Sequence, residues 1–296
     1  MRNPVNITVV IPTLHRPAEL TRCLESLVQG TVLPAEVLII DQGEYQVVEP
    51  VIKRIRSQYS ISIIHCSQPR KGLSAARNFA SSQARCPVIA FTDDDCVPAS
   101  DWLAQIDQTM AASPTVDGVT GSILPLEQDS TGLFSISIRT GQKSKTFQGR
   151  TLPWHVGSGG NFAIKRNWLR RVGGYDERLG VGSPGQAAED TDLFYRLLRT
   201  GAVIQYEPKA VIYHERQDAV RLMQSFWTYG YGMGAFSAKH VRKGDLYAAY
   251  ILGVWLFWLL WRTGGSILHR HRLYSGEGFL SLRGCTQGFA YGFQLT

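Results

Sequence analysis

The chain has 296 residues, of which 44% are hydrophobic and 19% are charged. This composition is typical of a globular protein with a full hydrophobic core and not of a disordered chain. The net charge of +7 and the pI near 9.2 favour an anionic partner, such as nucleotide phosphates, acidic lipid or nucleic acid. The five scattered cysteines form no Cys-x-x-Cys pair, so neither a zinc site nor a disulfide framework is indicated, and we expect a reducing, cytosolic location.

The first hundred residues alternate between apolar runs and helical patterns. The N-terminal run in MRNPVNITVVIPT is too short for a signal peptide, so we expect this part to stay in the cytosol. Four strands are predicted from ITVVIP, EVLIIDQG, ISIIHC and PVIAFTDDD. The helices between and after them are predicted from PAELTRCLESLVQG, VVEPVIKRIRSQ, GLSAARNFASSQA and SDWLAQIDQTMAA, with Pro50 confining the second or delaying its start. Strands separated by helices predict an α/β fold with a mostly parallel sheet flanked by helices.

The sequence is less regular between residues 115 and 166. There QKSKTFQGR predicts a loop or hairpin, and GSGGNFAIKR predicts a Gly-rich approach to a short strand. A flexible loop then leads into the helix EDTDLFYRLLRT, and AVIQYEP and AVIYHER predict two more short strands. We therefore expect one domain over residues 1–215 and a helical, apolar region over residues 216–296.

Three adjacent carboxylates, Asp93, Asp94 and Asp95, follow the fourth predicted strand. Ligands of parallel sheets bind at the carboxyl ends of the strands, where one crevice should also collect Pro12, Thr13 and Asp41. On an extended strand end, Asp93 and Asp95 would converge while Asp94 points elsewhere. Two convergent carboxylates bind a hard cation such as Mg²⁺ or Mn²⁺, and the alternative is a solvated acidic turn that caps the next helix.

Four further residues are candidates for chemistry. Glu189 and Asp190 open a predicted helix, where acids are favoured by the helix dipole alone, but where one could also serve as a general base. His214 ends the strand VIYHER and is either structural or a third metal ligand. Arg77, near a helix start, suits a phosphate or carboxylate partner, unless it is an ordinary surface residue. No P-loop, Gly-x-Gly-x-x-Gly or His-Glu-x-x-His signature is present.

Seven segments, taken in chain order, resemble the successive motifs of the family-two inverting glycosyltransferases, among them bacterial enzymes of envelope polysaccharide synthesis. The segments are VVIPTLHRPAEL, LIIDQG, KGLSAARNFA, FTDDDCVP, SGGNFAIKR, GGYDERL and AEDTDLFYRLLRTG. The resemblance covers Ile7 to His214 and implies a GT-A fold with a Rossmann-like sheet, a Mg²⁺ or Mn²⁺ cofactor, a nucleotide-sugar donor and no nucleic-acid partner. UDP is the expected nucleotide, with GDP and dTDP as alternatives, because DQG departs from the serine or asparagine that the family often has there.

The resemblance also implies roles for individual residues. Asp190 corresponds to the catalytic base, which deprotonates the acceptor hydroxyl in a single inverting displacement, and Glu189 corresponds to its helper. Metal binding falls to Asp93, Asp95 and the more loosely matched His214. Donor binding falls to Pro12, Thr13, Asp41, Arg77, Asp93, Asp94, Gly159, Gly160 and Asn161. Two alternatives are a haloacid-dehalogenase-like phosphatase, in which Asp93 of DDDCV is the nucleophile, and a catalytically silent membrane scaffold.

The region from Tyr247 to Trp261 is an uninterrupted apolar run, YAAYILGVWLFWLLW. It is shorter than the roughly 20 residues of a spanning helix, and its Trp and Tyr rings favour the membrane interface. Basic residues flank both ends, which fits an interfacial or re-entrant segment held on the cytoplasmic face by anionic lipid. A single span and a buried core or dimer helix remain alternatives. The acceptor would then be a lipid-linked sugar or another envelope glycan.

Overall fold

A computed structural model describes residues 4–126, 132–268 and 276–295. The strands in these residues are β1 (Pro4–Thr13), β2 (Leu33–Asp41), β3 (Ile63–Ser67), β4 (Val88–Phe91), β5 (Cys96–Pro98), β6 (Gly118–Pro125), β7 (Lys145–Phe147), β8 (Phe162–Lys165) and β9 (Ile204–His214). The α-helices are α1 (Pro17–Val28), α2 (Tyr45–Gln58), α3 (Leu73–Gln83), α4 (Trp102–Ala112), α5 (Arg166–Val172), α6 (Glu189–Arg199), α7 (Ala219–Val241), α8 (Leu246–Leu268) and α9 (Glu277–Gly292).

The strands form one sheet in the order β3-β2-β1-β4-β8-β6-β9-β5, with β7 paired to β9. Strands β1 to β4 are mutually parallel, and β9 is parallel to β6. Strand β8 is antiparallel to both β4 and β6, and β5 and β7 are antiparallel to β9. The predicted α/β class and its mostly parallel central sheet are confirmed, and the antiparallel strands come from the chain beyond β4.

Two local predictions differ from the structure. The segments AVIQYEP and AVIYHER form the single strand β9, because its pairing with β6 shifts register between Gly121 and Ser122 and accommodates Pro208 in the irregularity. Helix α2 starts at Tyr45, so Pro50 lies inside it rather than limiting it. Its buried apolar face supplies the packing that outweighs one lost main-chain hydrogen bond.

Strand β1 is buried on both faces of the sheet. Val9 and Ile11 belong to an apolar cluster with α1, α2 and α4, whereas Val10 belongs to a second cluster with α3 and α6. Helices therefore cover both faces of the sheet at β1, which ends at Thr13. The carboxyl ends of the parallel strands lie along this end of the sheet. It is the end at which ligands of parallel sheets bind.

A buried ionic cluster joins α7 to α6. Lys239 Nζ lies 2.6 Å from Asp192 Oδ1 and 2.7 Å from Asp176 Oδ2, and His240 Nε2 lies 2.7 Å from Asp192 Oδ1. Burial raises the pKa of Asp192, but Arg196, Lys239 and His240 outweigh it and hold that pKa well below its usual range. The first helix of the C-terminal region is therefore fixed to the helix that begins with Glu189 and Asp190.

Lys239→Met is expected to lower the free energy of unfolding by about 3–5 kcal/mol, because it removes the cation that the buried Asp192 and the partly buried Asp176 share. Denaturant titration measures this difference. Lys209→Met, at an exposed position, is the control and should change the free energy by less than about 0.5 kcal/mol. Equal midpoints and slopes for the two variants would contradict the stabilising role of Lys239.

Helix α8 extends the predicted apolar run at both ends. The run Tyr247–Trp261 lies within a helix that begins at Leu246 and ends at Leu268. Its 21 residues Leu246–Ser266 are long and apolar enough to cross a membrane, by length and composition alone. The residues that follow Trp261 are less apolar, and the sequence pattern therefore underestimated the length of the helix.

Candidate active site

A cavity of about 860 Å³ opens at the carboxyl ends of β1 and β4. Its volume lies in the range of small-molecule sites. Ten of the residues that the sequence singled out line this cavity: Pro12, Thr13, Arg77, Asp93, Asp94, Asp95, Gly160, Glu189, Asp190 and His214. The cavity therefore collects most of these residues, whereas three predicted residues, Asp41, Gly159 and Asn161, lie outside its lining.

The acidic triplet lies in a turn between β4 and β5 and not on an extended strand end. Cys96 N donates to Asp93 O at 3.1 Å, which closes the turn. As a result, Asp94 and Asp95 share Arg16, whose Nη1 lies 3.2 Å and 3.0 Å from their carboxylates. The predicted geometry, with Asp94 turned away from Asp95, is corrected by this turn.

Arg16 is a site residue that the sequence analysis missed, although it lies in the segment IPTLHRPAEL just beyond β1. It partly balances Asp94, which also accepts a hydrogen bond from Thr13 Oγ1 at 2.8 Å. Burial and the neighbouring Asp95 raise the pKa of Asp94 to about 7, against the opposite effect of Arg16. The Asp94 carboxyl thus depends on the arginine and the threonine to stay ionised near neutral pH.

A group of potential metal ligands surrounds Asp95. Ligand atoms of Asp95, Cys96 and His214 all lie within 4.8 Å of one another. They meet because β5 pairs with β9, which sets Cys96 opposite His214. His214 Nδ1 lies 2.7 Å from the main-chain oxygen of Glu215, which leaves Nε2, 3.7 Å from Asp95 Oδ1, free to ligate.

A carboxylate oxygen and an imidazole nitrogen are suitable ligands for Mn²⁺ or Mg²⁺, so the residues fit the implied cation. Asp93, also predicted as a ligand, is not in this group among the residues that the structure describes. Cys96 is in it, although the sequence analysis did not single out this residue, which directly follows the acidic triplet. Burial raises the pKa of the Cys96 thiol, which argues for a neutral thiol beside the ligands.

Arg77 connects the acidic triplet to the acidic pair. The residue is only 1% exposed, and its Nη2 lies 2.9 Å from Asp93 Oδ1 while its Nη1 lies 2.9 Å from Asp190 Oδ1. Glu189 Oε1 lies 4.0 Å from the same Nη1. The surface-residue alternative for Arg77 is excluded, and one guanidinium holds carboxylates from both sides of the cavity.

The buried Glu189 and the half-buried Asp190 form a pair at the start of α6. Gly159 N donates to Asp190 Oδ2 at 2.6 Å, and a Cβ at Gly159 would clash with that carboxylate and with Arg77. Burial raises the pKa of Asp190, while Arg77 and the Gly159 amide oppose that shift. Burial and Asp190 raise the pKa of Glu189 to about 8. With a pKa of about 8, Glu189 holds its proton near neutral pH, while Arg77 and the Gly159 amide favour the ionised form of Asp190.

Asp41 makes contacts other than those expected of a donor-binding residue. It ends β2 beside Thr13, but its Oδ2 lies 3.1 Å from His65 Nε2 and its Oδ1 accepts from Gly43 N at 2.9 Å. Its neighbour Gln42 lines the cavity instead. The carboxylate of Asp41 is thus engaged with His65 beneath the cavity wall.

Asn161 is a scaffold residue in the structure, which corrects its expected place in the donor pocket. Its Nδ2 donates to the main-chain oxygens of Ser122 and Ala210 at 2.9 and 2.8 Å, and its Oδ1 accepts from Trp102 Nε1 at 2.8 Å. These bonds occupy most of the amide and fix the short 3₁₀ turn that carries Gly159 and Gly160.

Glu189→Gln is expected to stabilise the protein more at pH 8 than at pH 5. The pKa of Glu189 is about 8 in the folded protein, above the value of roughly 4.3 for a free Glu. The folded state thus binds this proton more tightly, and stability is lost as the pH rises from the lower value through the higher one. Thermal unfolding at pH 5 to 8 measures the effect against Glu44→Gln, an exposed control. A Tm difference independent of pH would contradict it.

The sheet, the acidic triplet after its fourth strand and the helix-borne acidic pair on the same cavity define a glycosyltransferase of the GT-A class. The family model "Glycosyl transferase family 2" matches residues 8–173, and the chain belongs to this family. The phosphatase alternative loses its basis, because Asp93 follows the fourth strand and is paired with Arg77.

Relatives of known activity are glycosyltransferases. The chain is 27% identical to the pre-mycofactocin glycosyltransferase of Mycobacterium tuberculosis, over 88% of this chain and 54% of the relative. It is 25% identical to the chondroitin synthase of Escherichia coli, over 71% of this chain and 34% of the relative. It is 23% identical to the glucosyl-dolichyl phosphate glucuronosyltransferase of Haloferax volcanii, over 86% of this chain and 84% of the relative. The chain thus spans about half or less of the first two relatives.

Solved structures share the fold. A mannosyltransferase from Pyrobaculum calidifontis, in complex with GDP-Man and Mn²⁺, superposes with a TM-score of 0.65 at 17% identity, over 98% of this chain and 87% of that chain. GalNAc-T7 with UDP, GalNAc and Mn²⁺ gives a TM-score of 0.55 at 18% identity, over 79% of this chain and 51% of that chain. At these identities the similarity establishes the GT-A fold and nothing finer.

Proposed function

We propose that the protein is an inverting, metal-dependent hexosyltransferase that moves a sugar from a nucleoside-diphosphate donor to an acceptor hydroxyl. The observation that carries this proposal is the contact of Arg77 with both Asp93 and Asp190 on one cavity. The arrangement supplies a donor side and a base side within reach of one small ligand. The family and the acids that line the cavity argue against a catalytically silent scaffold.

The donor side of the proposal rests on the residues around β1 and the triplet. Asp95 and His214 would hold Mg²⁺ or Mn²⁺, whose positive charge stabilises the leaving diphosphate when the ion is bound. Two solved neighbours contain Mn²⁺ with GDP-Man or with UDP and GalNAc, which supports a nucleotide-sugar donor. Arg16 and Lys71 add cations to the cavity wall and could contact donor phosphates.

The base side rests on the pair at α6. Arg77 and the Gly159 amide keep Asp190 ionised despite burial, so Asp190 can accept the proton of the acceptor hydroxyl. Glu189, which holds its proton near neutral pH, avoids a second buried negative charge beside the base. Attack from the side of Asp190, opposite the leaving group, inverts the anomeric configuration.

The proposed acceptor is a lipid-linked or envelope glycan at the cytoplasmic face of a membrane. The name of the Haloferax relative contains a dolichyl phosphate, and that of the Escherichia coli relative a polysaccharide. Helix α8 adds an apolar segment of membrane length to the same chain. These observations support a membrane setting for polysaccharide synthesis.

Calorimetry with UDP, GDP and dTDP, each with and without Mn²⁺, tests the proposed function. We expect one nucleotide, UDP first, to bind only when Mn²⁺ is present. His214→Gln should weaken the Mn²⁺-dependent binding by about 10- to 100-fold, because it removes a ligand nitrogen. His155→Gln, a histidine outside the cavity lining, is the control. Failure of all three nucleotides to bind with Mn²⁺ would overturn the donor assignment.

A further inference from the structure

Helix α8 is apolar on all sides, yet only one side packs against the protein. Ala248, Ile251 and Leu259 are buried on the packed side. The opposite side, the outer face of α8, carries large side chains that are 58% to 81% exposed: Leu246, Tyr250, Phe257, Leu260 and Trp261. Soluble surfaces rarely expose so many large apolar groups together, so this face needs an apolar partner.

The packed side is attached to the protein at both ends of the helix. Ile251 packs in one cluster with Tyr195 of α6 and Phe236 of α7. Near the other end, Arg262 Nη2 lies 2.9 Å from Glu277 Oε2 of α9. At 1.5 Å per residue, roughly 17 Å of α8 lies between these contacts, alongside the protein and not leading away from it.

Helix α9 holds this arrangement through a seam of glycines against α7. A Cβ at Gly230 would clash with Ser281 O, and a Cβ at Gly288 would clash with Tyr231 O. The two backbones are therefore in direct contact, and α9 runs beside α7 for most of its length. Because α8 is bound to α9 at one end and to α7 at the other, the three helices form one unit.

This unit is unsuited to the interior of a bilayer as a whole. Helix α7 carries the charged Lys239 on the ion cluster with Asp192, and α9 exposes Arg283, Thr286 and Gln287. Charged and polar groups in hydrocarbon cost several kcal/mol. If α8 crossed a membrane, it would have to leave its partners or take these groups with it.

Cations gather around the amino-terminal end of α8. Those exposed there are Arg150, Arg199, Arg242 and Lys243. Arg150 lies 5.7 Å from the centre of the Tyr247 ring, and Arg199 lies 3.9 Å from Asp245. A positive charge beside an apolar face matches a lipid surface with anionic head groups.

The packed side of α8 is also close to the cavity, so the outer face lies about one helix diameter from it. Trp154 lines the cavity and packs in the same apolar cluster as Ile251 and Trp255 of α8. Ala188, which precedes the acidic pair, belongs to both as well. A surface that binds α8 would therefore lie near one wall of the site.

We infer that the outer face of α8 docks in the plane of an anionic lipid surface, without crossing the bilayer, and so holds the cavity next to that surface. Helix α8 is therefore an interfacial segment, and neither a single span nor a buried core or dimer helix. The consequence of this docking, that a lipid-borne acceptor reaches Asp190 from the bilayer, rests on the proposed function; the docking itself does not.

Flotation of the purified full chain with preformed vesicles tests the docking. The protein should float with vesicles of phosphatidylcholine and one-third phosphatidylglycerol, and the bound fraction should fall as salt rises. Phe257→Ser/Leu260→Ser/Trp261→Ser should weaken binding at least about tenfold, since it removes apolar area from the outer face. Leu133→Ser/Val220→Ser, two exposed apolar positions elsewhere, should bind like the native chain. Equal binding by both variants would overturn the docking face.

Extraction of native membranes separates docking from spanning. Sodium carbonate at pH 11 should release the protein, as it does for surface-bound proteins, whereas retention in the pellet would show that α8 spans. Mn²⁺-dependent nucleotide binding of the triple variant, measured in solution, should match the native protein. Lipid binding without nucleotide binding would refute the proposed function alone, and the reverse result would refute the docking alone.

Discussion

Asp190→Asn is expected to lower kcat by about 10²- to 10⁴-fold, the range for loss of a general base. The amide keeps the size and the hydrogen bond from Gly159 but cannot take a proton. Arg77 stays paired with Asp93 in the variant, so the donor side of the cavity keeps its geometry. The dissociation constant for the nucleotide with Mn²⁺ should therefore change by less than about threefold.

Both kcat and the dissociation constant for the nucleotide are measured, because a folding defect would lower kcat and weaken nucleotide binding together. Asp107→Asn, an exposed Asp on α4, is the matched control and should leave kcat unchanged. Donor hydrolysis to water, if the enzyme shows it, should fall in parallel with transfer, since the same proton acceptor serves both. Near-native turnover by Asp190→Asn would remove Asp190 from the role of base.

Local sequence patterns predicted the first half of the sheet well. Strands β1 to β4 are parallel, and all but the edge strand β3 are largely buried, so each appears as an apolar run bounded by a helical pattern. Strands β5 and β7 have three residues each, which is too short for periodicity to register. Strand β6 is longer, but it lies in the chain that the sequence pattern left irregular.

In the candidate site, too, local patterns predicted some residues, whereas others depend on contacts distant in sequence. Residue types and their order predicted the acids, because Asp93, Asp95 and Asp190 lie at ends of elements that the pattern also predicted. The partners of those acids depend on contacts distant in sequence. Arg16 reaches the triplet through a tight turn, and Cys96 meets His214 only because β5 pairs with β9. Pattern analysis has no means to register either contact.

Helix α8 illustrates a different limit. Its composition predicted membrane association but left open whether it lies in, dips into or crosses the bilayer. A helix that is apolar all round does not show in its sequence which side faces the protein. The sides come from packing: Ile251 is buried against α7, whereas Phe257 is exposed. Orientation relative to a lipid surface is thus information that tertiary contacts add to composition.

The charge balance of the cavity explains why Arg77 should matter more than any other cation in it. Three adjacent carboxylates repel one another unless cations neutralise them. In the structure, Arg16 serves Asp94 and Asp95 from a half-exposed position, whereas buried Arg77 serves Asp93 and Asp190 at once. A cation in contact with both sides of the site sets the protonation of the base and the position of the donor-side acid together.

Arg77→Met should therefore lower the free energy of unfolding by about 3–5 kcal/mol and reduce kcat by at least about 100-fold. Burial then raises the pKa of Asp190 against the Gly159 amide but without Arg77, so more of the base is protonated at neutral pH. Arg77→Lys keeps the charge but cannot bridge two carboxylates. Its kcat should therefore recover as the pH rises, and the acid limb of its pH profile should lie at higher pH than in the native enzyme. Arg85→Met, at an exposed position, is the stability control. Native stability in Arg77→Met, together with an unshifted acid limb in Arg77→Lys, would show that the two sides of the cavity titrate independently of this arginine.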